Sequence, residues 1–121
     1  MFENLCTAGA QFGISYLWAQ EGTWITADDE VKKLENMGKD HLINCIDMLN
    51  RQVRSIPITF IEFLKNDGKK YLEQALKNEG KKLSKLNDKE LDDLHKSIFI
   101  IINERLKVKI RELNAELKKR V

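Results

Sequence analysis

From Asn87 to Val121 the chain contains neither glycine nor proline, and no other feature constrains its fold as tightly. Asn87 with Glu90 three residues on matches a capping box, and Leu86 with Leu91 matches the hydrophobic staple that accompanies one. Leu91, Leu94, Ile98, Ile101 or Ile102, Leu106, Ile110, Leu113 and Leu117 then carry an apolar stripe at helical spacing. A helix of about 30 residues runs about 45 Å at 1.5 Å per residue, longer than a chain of 121 residues buries by itself. Its centre, Ile98 to Ile102, is apolar all round and needs cover on more than one side. Two covers fit. One is a second copy of the helix, with Ile98, Ile101, Ile102, Leu106, Ile110 and Leu113 as an oligomer interface; the other is the segment 58–80 of the same chain. A homo-oligomer is the expectation.

Upstream the pattern changes. Phe12, Ile14, Tyr16 and Trp18 fall on one face of a period-two segment over Gln11–Ala19, with Gly13, Ser15 and Ala19 opposite, which reads as a strand. Gln20-Glu21-Gly22 reads as a turn, Thr23–Thr26 as the returning strand, Ala27–Glu30 as a second turn and Val31–Leu34 as a short third strand. Residues 2–9 fit a short helix or a loop. At Gly38-Lys39-Asp40 the period becomes helical: Leu42, Ile43, Ile46, Leu49 and Val53 share a face, and Asp40 suits the positive end of the helix dipole. Pro57 separates that helix from the next, Asn66-Asp67-Gly68 marks a break, and Gly80 an end. The expected fold class is α+β: a small N-terminal antiparallel hairpin or meander, then three or four helices, the last one long. A length of 121 residues suits one domain, strand-rich over 1–37 and helical over 38–121.

Charge divides along the chain. Residues 1–60 hold five basic and eight acidic side chains, residues 61–121 sixteen and eleven, and the overall +2 conceals that contrast. So even a total argues against a polycation built for DNA. The longest apolar run, Ile98–Ile102, is five residues against the roughly 18–20 a membrane span requires, and the start of the chain lacks the basic and apolar regions of a signal peptide. The expectation is a cytoplasmic protein with no membrane partner and with Cys6 and Cys45 as free thiols.

No catalytic constellation stands out, neither phosphate loop, zinc-protease helix nor nucleophile elbow, so the chain reads as a non-enzyme with no cofactor. Asp28-Asp29-Glu30 reads as solvated turn chemistry rather than a cation site. His41 and Cys45 share a helix face and, with Cys6 and His95, make a two-Cys, two-His count. Zinc sites use two close-spaced pairs and only one is present, so no metal is expected. Lys65, Lys69, Lys70, Lys77, Lys81, Lys82 and Lys85 alternate with Asp67, Glu73 and Glu79. They read as a solvated helix face ahead of a phosphate-tracking stripe, which leaves nucleic acid as an open alternative.

One block carries a resemblance. Trp24, Thr26, Asp28, Leu34, Met37, His41, Leu42, Asn44, Ile46, Leu49 and Arg51 stand at the spacing of Trp-x-Thr-x-Asp-Gly, a strand, then Met-x-x-x-His-Leu-x-Asn-x-Ile-x-x-Leu-x-Arg. This is similar to a module of small, mostly uncharacterised phage and prophage proteins. Asp29 departs from its glycine and Lys32 from its first strand isoleucine. The match spans residues 24–51; residues 58–121 resemble no family. The resemblance implies a phage-type binding protein, localised in the host-cell cytoplasm, that antagonises host defence by binding or sequestering a nucleotide-type signal or a defence protein. The alternatives are a nucleic-acid accessory protein and a purely structural oligomeric phage protein. Residue chemistry places the ligand at Trp24, Thr26, His41, Asn44 and Arg51: the indole to stack, the amide to read an edge, the guanidinium to meet phosphate. Such a site is expected where this block meets basic helix from the second half or from another subunit. The competing role of His41 and Asn44 is to pin the hairpin, through its backbone or the Thr26 hydroxyl, onto the helix.

Overall fold

The computed structural model describes residues 2–120, with side chains from Leu5 onward. The order is α1 (Phe2–Phe12), a 3-10 turn (Ser15–Trp18), β1 (Thr23–Ile25), β2 (Val31–Lys33), a 3-10 turn (Leu34–Asn36), α2 (Lys39–Gln52), α3 (Ile56–Lys65), α4 (Lys69–Asn78), a 3-10 turn (Leu83–Lys85) and α5 (Asp88–Lys118). The molecule is mostly helical, with one small antiparallel hairpin followed by four helices. The breaks at Pro57, at 66–68 and at Gly80 fall where the sequence places them.

The expected strand over Gln11–Ala19 is not a strand. Gly13, at φ +92°, ends α1: the Ile14 amide donates to the Gly9 carbonyl (2.9 Å) and the Gly13 amide to that of Ala10 (3.2 Å). This is the Schellman arrangement, which an L side chain at that φ would strain; Gly80 closes α4 through the same pair of bonds. Beyond Gly13 the chain coils into the 3-10 turn, burying Ile14 and Leu17 at a spacing of three rather than two. β1 therefore pairs with β2, in the register Thr23↔Lys33, Trp24↔Lys32 and Ile25↔Val31. In the loop between them the Thr26 hydroxyl accepts from the Glu30 amide (3.1 Å), and Asp29 sits at φ +61°. The Asp29 conformation is the left-handed one that glycine, then Asn and Asp, adopt most readily.

α5 opens on the capping box read from the sequence: the Asn87 side chain accepts from the Glu90 amide (2.8 Å) while Glu90 accepts from the Asn87 amide (3.1 Å). Its inner face packs on α2 and α3. Leu94, Ile98, Ile102, Leu106 and Leu113 are buried there with Leu42, Leu49, Phe60 and Leu64. This corrects the expected oligomer interface. Ile98, Ile102, Leu106 and Leu113 are fully covered by the chain itself, and Ile101 and Ile110 are half-buried at its margin. Of the two covers, the same-chain one holds, with α2 contributing alongside α3.

Two cations of α5, and Arg120 just past its end, tie the N-terminal third to this spine. The Arg105 guanidinium donates to the Leu17 carbonyl (3.3 Å) and lies 5.0 Å from the centroid of the Trp18 ring. The Lys109 ammonium, 2% exposed, donates to the carbonyls of Gln20 (3.2 Å) and Thr23 (3.1 Å) and to Glu112 (3.2 Å). Arg120 donates to the carbonyls of Met37, Leu34 (2.8 Å) and Glu35 (3.2 Å) and to Glu116 (3.2 Å). No helix among the described residues is long and apolar enough to cross a membrane.

Candidate functional site

Two clefts concern the sequence-derived site. The first, about 530 Å³, opens between the end of α1, the following 3-10 turn, the hairpin and α2, and Trp24, Thr26 and His41 line it. The Trp24 ring is buried and stacks on Tyr16 (centroids 4.9 Å apart, planes 18° apart), whose hydroxyl donates to Gln52 (2.7 Å). Burial raises the pKa of Tyr16 above the usual phenol value despite the Gln52 bond, with Cys45 adding to the rise. Burial also raises that of the Cys45 thiol, so both groups stay protonated at neutral pH. The Thr26 hydroxyl is engaged with the Glu30 amide, so it holds the loop rather than His41.

Asn44 and Arg51 are exposed and do not line this cleft. The helix explains why. His41, Cys45, Met48 and Gln52 follow one stripe of α2, and at 100° per residue Asn44 and Arg51 fall roughly 60° and 80° round from His41. The expected set is thus divided, and the guanidinium meant for phosphate lies outside. Tyr16 and Gln52, which shape the cleft, were not singled out from the sequence. The i, i+4 step from His41 to Cys45, continued to Met48 and Gln52, was the signal available for Gln52.

The second cleft, about 640 Å³, is bordered by α3, α4, the 3-10 turn Leu83–Lys85 and α5. Lys65 and Lys69 flank the α3–α4 turn, one at each end, Lys77 lies further along α4, and Lys81 and Lys82 come from the loop after it. Leu64, Leu72, Leu83 and Leu91 supply its apolar lining, and His95 and Glu73 complete the polar part. Lys65 lies 3.4 Å from Glu62, whereas Lys69, Lys77, Lys81 and Lys82 have no ion pair or side-chain hydrogen bond among the described residues. Burial, then Lys65, push the His95 imidazole below the ordinary histidine range against the opposing pull of Asp92 and Glu62.

Five of the seven lysines read as a solvated face therefore converge on one groove; Lys70 lies over Tyr71 instead, 5.1 Å from the ring centroid, and Lys85 lines neither cleft. The two clefts share no lining residue, so the Trp24–Asn44 block and the basic helix do not build one site within the chain. Cys6, His41, Cys45 and His95 do not converge either: among the described residues no three His, Cys, Asp or Glu side chains form a metal-sized cluster. Comparison with protein-family models, with curated proteins and with solved structures finds no match to this chain.

Proposed function

We propose that the chain is a non-enzymatic binding protein of the phage accessory type that sequesters a phosphate-bearing, nucleotide-type signal of host defence in the lysine-rimmed groove. The observation that carries this reading is the groove itself: five lysines line it together with leucines, and four of the five have no ion pair among the described residues. Phosphates suit the rim, where point charges meet their oxygens, and a base or ribose suits the leucines. The first cleft, with Arg51 outside it, offers no comparable cation. Lysines gathered at one groove favour a small ligand over a nucleic-acid strand, which tracks an extended stripe with stacking rings along it.

The test is a thermal shift and calorimetric titration against cyclic and linear mono- and dinucleotides. A ligand should raise the melting temperature, and Lys77→Glu with Lys81→Glu should weaken it at least about tenfold by setting carboxylates against phosphate. Asn44→Ala and Arg51→Ala should leave affinity unchanged. No stabilisation by any nucleotide defeats the sequestration reading. A strand of DNA or RNA bound tighter than every mononucleotide, with affinity falling steeply as salt rises, establishes the nucleic-acid alternative instead.

His95 adds a pH dependence. Its lowered pKa leaves the imidazole neutral at neutral pH, and a bound anion favours its protonation. Affinity for a phosphodiester, whose own charge is constant, should therefore rise as pH falls from about 7 to about 5. His95→Gln should flatten that profile. Without ligand the sign reverses for the fold: the unfolded chain binds the proton more readily, so stability from neutral His95 is present above pH 6.5 and falls on acidification.

A further inference from the structure

We propose that the outer face of α5, from Ile100 to Ala115, pairs antiparallel with the same face of a second copy of this chain. The face lies opposite the core stripe: Ile100, Glu104, Val108, Arg111 and Ala115 follow one another at intervals of four, four, three and four residues. Ile100 is 61% and Val108 40% exposed, on the same helix whose other side is fully buried. An open groove of about 880 Å³ runs beside them toward Leu17 and Ala19.

Charge selects the occupant and its direction. Glu104 and Arg111 sit within the apolar row, and neither makes an ion pair or side-chain hydrogen bond among the described residues. In an antiparallel pair whose two-fold axis passes between Lys107 and Val108, each Glu104 meets Arg111 of the other copy, twice over. Ile100 then meets Ala115, and the two Val108 side chains flank the axis. A parallel pair would set Glu104 against Glu104 and Arg111 against Arg111. Lys107 lies at the edge of the face, where its stem can cover apolar surface while the ammonium reaches water. The row is about 22 Å long, a contact of the size that forms dimers in exchange with monomer rather than permanent ones.

Sedimentation or light scattering of the full chain over a range of concentrations tests this. The wild type should dimerise, and Arg111→Glu should raise the dissociation constant at least about tenfold, since each carboxylate then faces Glu104. Adding Glu104→Arg to Arg111→Glu should restore the dimer by recreating both pairs with their signs exchanged. Ile100→Ser should weaken it by a similar factor without changing the circular dichroism of the monomer. A wild type that stays monomeric at every soluble concentration overturns the proposal, whatever else that face takes up. So does a dimer that the single reversal leaves intact, or one that the double reversal fails to restore.

Discussion

Lys109→Ala is expected to lower the melting temperature by more than about 10 °C, corresponding to a loss of about 3–5 kcal/mol. The side chain is 2% exposed and reaches across the base of the hairpin to two backbone carbonyls and to Glu112. Its truncation opens a cavity and removes the cation that neutralises Glu112, itself tied to the Gly22 amide at 2.8 Å. Lys109→Met separates the causes. The methionine refills most of the volume but donates nothing, so it should cost less, about 2–3 kcal/mol. The Gln20 carbonyl keeps the Thr23 amide and hydroxyl as donors, so the penalty falls on the Thr23 carbonyl and on Glu112. Lys109→Met with Glu112→Gln should recover part of it, because a neutral amide still accepts from Gly22 without needing a counter-charge. A Lys109→Ala melt within a degree or two of wild type would show that the hairpin is held without this link.

The link matters because the hairpin has little else. Two strands of three residues are below what a sheet needs to stand alone, and the burial pattern of β2 is exposed throughout. Trp24 supplies the apolar anchor through Tyr16, while Lys109 and Arg120 hold the two ends of the 20–37 segment by its carbonyls. Apart from Thr23 in β1, these carbonyls belong to turns and 3-10 segments that leave acceptors over, so long basic side chains from α5 and the residues just past it complete them. The first cleft depends on that attachment, since Trp24 and Thr26 form one of its walls.

What could be read in advance follows from whether the signal was local. The capping box at Asn87 and Glu90, the break at 66–68 and the end at Gly80 are set by residues within one turn of each other, and they stand where the sequence puts them. No strand forms over Gln11–Ala19 because the alternating Phe12, Ile14, Tyr16 and Trp18 meet partners on several elements rather than lining one sheet face. Phe12 meets Phe60, Tyr16 meets Trp24, and Trp18 meets Arg105. Gly13, counted as a small residue opposite that face, was the helix end. The lysine groove was illegible for another reason: Lys65, Lys77 and Lys81 lie on three segments, and only the α3–α4 turn brings them round one hollow. Lys109 did leave a trace, at the third step of the row Ile102, Leu106, Lys109, Leu113, where a charged residue stands in an otherwise apolar stripe.

Ile102→Ala should cost about 2–4 kcal/mol, and the same substitution at Leu106 a similar amount, because both side chains are fully buried and the surrounding helices cannot close the space. The urea midpoint should fall while its slope stays that of wild type, since the surface exposed on unfolding hardly changes. The decisive comparison is with the other side of the same helix. Ile100, two residues away, is 61% exposed, and Ile100→Ser should shift stability by no more than about 0.5 kcal/mol in the monomer while weakening any dimer. Ile102→Ala should do the reverse, lowering stability with no change in the mass of the folded protein. The centre Ile98–Ile102, apolar all round in the sequence, would then divide by experiment as it does in the fold. The inner stripe of the helix is satisfied by α2 and α3, so whatever association the helix supports has to use the residues left outside. If Ile102→Ala instead dissociated a dimer while leaving the monomer as stable as before, the inner stripe would be the interface and the packing of α5 on α2 and α3 would be wrong.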